Sequence, residues 1–130
     1  MSASDPIVLV FDWLPPLQSD QAANAYSRAR RRKRIRLETA WEWRARVSPD
    51  RRREWMEQPG KPHIVFTRHS SREPDSDNLA YSFKSMRDGL IDAGAIEDDS
   101  PSHITTDYRW KKAKPGGGHV TIDLTKETTS

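Results

Sequence analysis

Asp75 and Asp77 stand two residues apart in the stretch Asp75-Ser76-Asp77-Asn78, and a second acidic group, Glu97-Asp98-Asp99, follows later in the chain. In an extended segment the side chains at i and i+2 project to the same side, so two carboxylates at that spacing can share one cation. Magnesium takes hard oxygen ligands, keeps several waters and is commonly held by one or two carboxylates together with phosphate oxygens of a substrate. A compact acidic pair is therefore a sufficient nucleus for phosphodiester hydrolysis. Asp98-Asp99 could join it if the loop beyond the intervening helix folds back. On spacing alone, the commoner fate of such residues is humbler: Asp75 and Asp77 cap a helix, and Asp98-Asp99 fill a solvated turn. A calcium loop of the EF-hand kind is excluded, because Leu79 occupies the third ligand position and no glycine follows it. Thiolate zinc sites and disulfides are excluded by the lack of cysteine, and His63, His69, His103 and His119 have no close ligand spacing.

Charge is segregated around these acids. Seven of the nine positions from Arg28 to Arg36 are Arg or Lys, and Arg51, Arg52 and Arg53 follow. A charge run is usually a solvated face, but this density suits a polyanion gripped by arginines beside a separate acidic pocket. Arg30, Arg31, Arg32 and Arg34 are the expected phosphate contacts, with Arg68 and Arg72 approaching the acidic motif and placed to touch phosphate near it.

The elements that must position these groups follow from periodicity. Ile7 to Trp13 reads as a strand stopped by Pro15-Pro16, and the pattern turns helical from about Ser19. The basic run itself reads equally as helix or loop. Ser48-Pro49 is a cap followed by proline at the first helical position, opening a short helix that Pro59-Gly60 ends. His63 to Arg68 is a second strand. From Asn78 to Ala93, Leu79, Phe83, Met86 and Leu90 form one apolar stripe of a helix stopped at Gly94. Two alternating runs, Ile104-Tyr108-Trp110 and Val120-Ile122-Leu124, flank Pro115-Gly116-Gly117-Gly118 and predict a terminal hairpin. Trp41, Trp43 and Trp55 are expected in the core or a subunit interface.

With 130 residues and a net charge of +3, the chain has room for one small domain. Its Leu, Ile, Val and Phe number 22, a thin core that a partner subunit could complete. The expected fold is α+β: a small mixed sheet with packed helices, a single domain over residues 1–125 with a frayed tail at 126–130. No stretch reaches the ~20 apolar residues of a membrane span, so a soluble, cytoplasmic protein with no membrane partner is expected.

One family unites these readings. Asp75-Ser76-Asp77-Asn78-Leu79, then Lys84, then Asp88-Gly89-Leu90, then Asp92-Ala93-Gly94-Ala95-Ile96-Glu97-Asp98-Asp99 closely resembles the signature of the RusA family of Holliday-junction resolvases. The strand ending in Trp13-Leu14-Pro15-Pro16 and the glycine-rich turn between the last strands are similar to that family too, so the likeness covers most of the chain. It implies that Asp75, Asp77 and Asp99 bind magnesium, with manganese as a substitute, that Lys84 is the essential lysine, and that Asp98 is a secondary candidate. The sequence departs from the pattern in carrying three more residues before the lysine, with Tyr81 at the family position. Seven helical steps of ~100° still return Lys84 to the Asp77 side, ~4.5 Å farther along the axis.

The resemblance implies a crossover junction endodeoxyribonuclease, commonly of phage or prophage origin, acting in DNA recombination and repair. A four-way junction presents two equivalent strands, so two sites related by a two-fold axis, and hence a homodimer, are expected. The rival expectations are a nuclease selective for other branched DNA, a non-catalytic basic DNA-binding protein whose aspartates only shape a turn, and a metal-stabilised interaction module.

Overall fold

Alternation along Ile7-Val8-Leu9-Val10-Phe11 buries the first, third and fifth side chains and leaves Val8 and Val10 more than half exposed, so this segment forms a sheet with one covered face. The computed structural model describes residues 5–17, 24–98 and 100–127. Its elements are β1 (Ile7–Phe11), α1 (Ala25–Arg46), α2 (Pro49–Glu57), β2 (Lys61–Ser70), α3 (Ser76–Ser82), α4 (Lys84–Asp92), β3 (Thr105–Lys112) and β4 (His119–Glu127). They build one α+β unit around a mixed four-stranded sheet in the order β1-β4-β2-β3. No helix among the described residues is long and apolar enough to cross a membrane.

The expected terminal hairpin is not formed. β4 pairs antiparallel with both β1 and β2, aligning Leu9, Ile122 and Phe66 across three strands. β3 instead lies parallel to β2, with Phe66 opposite Tyr108 and Ser70 opposite Lys112. The alternating patterns of β3 and β4 are as expected. What decides their pairing is the apolar β4, whose Val120, Ile122 and Leu124 are fully buried between two neighbours, whereas β3 is covered on its helical side only and takes the edge. The boundary of the predicted tail also moves, because β4 continues to Glu127, which pairs with Lys61.

Helices cover one face. Ile7, Leu9, Phe11, Ile64, Phe66 and Ile122 point into them and meet Ile35, Trp43, Phe83, Met86 and Leu90. Arginine and lysine are good helix formers, and the basic run that sequence left open is helical as part of α1. Asn24 caps α1 by accepting from the Ser27 amide at 2.8 Å; the expected start at Ser19 lies outside the described residues. Ser48 caps α2, with Pro49 at its first position, as expected. Trp43 and Trp55 meet edge to face with centroids 6.2 Å apart, and the Trp55 indole donates to the Ala95 carbonyl at 2.7 Å.

The single helix expected over Asn78–Ala93 is interrupted. At Phe83 the amide reaches back to Ala80 rather than continuing the α pattern, while φ and ψ stay in the right-handed region, so α3 and α4 run on with a tightened turn between them. The cause is packing: the fully buried Phe83 ring lies 5.1 Å from Phe66 and 6.0 Å from Tyr108. Farther along, Gly89 lets α1 approach α4 closely. A Cβ there would lie 2.6 Å from the Arg36 carbonyl oxygen and 2.8 Å from the Thr39 Cβ.

Candidate functional site

The acidic motif opens α3. Asp75 is the N-cap: one carboxylate oxygen accepts from the Asn78 amide at 2.9 Å, the other from the Asn78 side-chain nitrogen at 3.0 Å. Asp77 lies in the first helical turn. The expected extended pair is thus replaced by a cap and a helical residue, because Asp75, Ser76 and Asn78 are good residues for starting a helix at that point. Both aspartates are exposed. A carboxylate has about four lone-pair positions, so Asp75 keeps capacity for a cation while it caps.

Asp98 is elsewhere. Asp75 follows the carboxyl end of β2, and α3 and α4 then run back along the sheet for roughly 25 Å, at 1.5 Å per residue. Beyond them Asp98 lies by the amino ends of β2 and β3, where the Lys61 ammonium donates to the Pro101 carbonyl. There it accepts from the Ser100 amide and binds His103 Nδ1, both at 2.8 Å. The His103 hydrogen bond, then that of the Ser100 amide, hold the Asp98 carboxyl below its ordinary range; His103 is raised by the same contact. Asp98 and the Asp75-Asp77 pair are not brought together. Asp99 lies outside the described residues, and among those described no three His, Asp or Glu side chains gather as a cation site.

A different convergence is present. Arg28, Arg31 and Arg32, on the first turns of α1, face Tyr81 and Lys84 at the α3–α4 junction across a cleft of about 370 Å³. Lys84 is therefore joined to the basic helix. Pro16 and Ile35 contribute apolar wall, and Ser82 and Ser85 also line the cleft, the Ser82 hydroxyl donating to the Leu79 carbonyl at 2.7 Å. Arg34 lines an adjoining groove with Trp13 and Leu14. Arg30 is exposed, its guanidinium 5.7 Å from the Tyr26 ring centroid.

Other arginines prove structural. Arg68, expected near phosphate, is only 6 % exposed and donates to the Pro15 carbonyl at 2.6 Å, fixing the proline turn to the sheet. Its position explains this, since it shares the covered face with Val120 and Trp110. Arg51 is likewise buried and donates to the Asp5 carbonyl. Arg36 grips Asp92 through two hydrogen bonds of 3.0 and 2.9 Å. Arg72 is exposed in the segment leading to α3, where its carbonyl accepts from the Ser70 hydroxyl.

Sequence reasoning missed Arg28, Tyr81 and the two serines as a group. The available signal was the spacing Asp77, Tyr81, Lys84, which puts all three on one helical face; nothing in sequence says that α1 lies opposite. It also missed the stack of His69 on His119, centroids 4.0 Å apart, because these lie on strands distant in the chain. Burial, then the neighbouring His119 and Lys111, lower the His69 pKa. In comparison with known proteins, no family model matches the chain and no curated protein is significantly similar to it.

Proposed function

We propose that this chain is a magnesium-dependent endodeoxyribonuclease of the RusA type, which binds branched DNA through α1 and nicks four-way junctions symmetrically as a homodimer. The observation that carries the reading is the shared cleft: the lysine of the acidic motif opens onto the same cavity as three arginines of the basic helix. DNA phosphates held there would place the strand beside the head of α3. Asp75 and Asp77, both exposed at the head of α3, are the carboxylates that would hold the metal; Asp99 is the third in the family pattern. When bound, magnesium supplies Lewis-acid polarisation of the phosphate and a more acidic water.

The chain's own groups do the rest. Arg28, Arg31, Arg32 and Lys84 neutralise phosphate charge and fix the strand, and this positive cluster favours the extra negative charge of a five-coordinate phosphorus. Asp75 orients the helix end through its cap bonds.

One specific observation favours a second reading, a DNA-binding protein without nuclease activity: Asp75 is committed to capping, and Asp98 lies at the opposite end of the sheet. Incubating the protein with a synthetic four-way junction, with magnesium or with chelator, separates the two. Paired nicks that need metal, and binding without cutting by Asp75→Asn, are expected; asparagine caps as well as aspartate, so the fold is kept. Salt-sensitive junction binding with no nicking in magnesium or manganese would establish the second reading instead.

A further inference from the structure

The amino-terminal half of α1 concentrates positive charge. Its first turn holds no acid. Cations at Arg28, Arg31 and Arg32 lie near the positive end of the helix dipole, and Arg28 and Arg32 are a like-charge pair at i, i+4. Lys84 adds a fourth charge from the other wall. An anion in the cleft would meet cations from both walls at once.

The cleft has more than charge. Tyr81 is half-buried in it, and with Pro16 and Ile35 it forms an aromatic and apolar wall. A clamp for phosphate alone requires no such wall. At about 370 Å³ the space is at the lower end of cavities that take small organic ligands, large enough for one nucleotide. A duplex cannot use it fully, because its bases stay stacked inside a convex surface and only phosphates would reach the rim.

From this geometry we infer that the cleft between α1 and the α3–α4 junction seats one unpaired nucleotide of a DNA strand, its phosphate on Arg28, Arg31, Arg32 and Lys84 and its base against Tyr81. Base stacking on aromatic rings tolerates any sequence, so the cleft selects strand state over sequence. This rests on the reading of the chain as DNA-binding, and is independent of whether it cuts. At a branch point, the site would hold a splayed nucleotide.

The test is fluorescence anisotropy of the full chain in chelator, with a labelled single-stranded oligonucleotide and its matching duplex at the same salt. The single strand should bind about tenfold tighter or more. Tyr81→Ala should weaken single-strand binding far more than duplex binding, removing most of that preference, and Tyr81→Phe should restore it. Replacing Arg31 and Arg32 by Gln should weaken both ligands and flatten the salt dependence. With the unaltered protein, thymidine monophosphate should compete better than inorganic phosphate, a readout that needs no variant to fold. Equal affinity for single strand and duplex, or equal competition by phosphate and nucleotide, would overturn the inference. Because metal is absent throughout, a failure of nicking leaves these outcomes unchanged.

Discussion

The two halves of α1 are held in place by different forces. Its carboxyl-terminal half is keyed into the core: Ile35, Thr39, Ala40 and Trp43 are buried, and the Thr39 hydroxyl donates to the Ile35 carbonyl at 2.8 Å. The amino-terminal half is mostly exposed, begins at the Asn24 cap and carries a dense run of arginine and lysine. Arg36 marks the boundary, reaching across to Asp92 on α4. The contrast teaches that a single helix can be anchored at one end so that the other can keep an arrangement suited to a ligand rather than to stability.

Four variants probe that contrast. Trp43→Ala should cost about 3–5 kcal/mol, read by chemical denaturation, since it empties a fully packed site against Trp55. Gly89→Ala should cost about 1–3 kcal/mol, because its methyl would strike the α1 backbone, and a stable variant would mean that α1 and α4 can separate freely. Asp92→Asn should cost less than about 1 kcal/mol, as both partners of the ion pair are over two-fifths exposed and solvent screens them. The hydrogen bond from Arg36 depresses the Asp92 pKa. Its contribution should therefore be complete above the unfolded carboxylate pKa of about 3.9 and fade as pH falls through the lowered folded value, with Asp92→Asn flattening that part of the stability–pH profile. Arg31→Gln with Arg32→Gln should change stability least, by ~0.5 kcal/mol or less in either direction because both lie in the mostly exposed half, while junction affinity falls. A marked loss of stability there would erase the distinction between the halves.

Much of the architecture was legible in sequence. Period-two alternation located β1, β3 and β4, and Ser48-Pro49 marked the start of α2, because each is a local property. Strand pairing was not local: the glycine-rich link before β4 invited a hairpin, yet the greater apolarity of Val120, Ile122 and Leu124 drew β4 to the middle. At the candidate site, the acidic motif and the basic run were visible separately. Their meeting at Lys84 depends on how α1 crosses α4, which Gly89 permits and no spacing announces. Arg68 reads as a surface cation until the strand register turns it inward. Likewise, Asp75 and Asp77 read as an extended pair until the helix begins at Ser76, two residues earlier than their partnership requires.

The sheet order has a consequence for how the molecule is made. β1 has its partner in β4, and β4 follows β1, β2 and β3 in the chain. During synthesis the earlier strand must wait, its hydrogen-bonding edge unpaired, until more than a hundred residues later the last strand threads into the gap. Such distant closure is slow relative to neighbouring contacts. Nascent or shortened chains ending before His119 should consequently lack a closed sheet, remain susceptible to proteases and be prone to self-association.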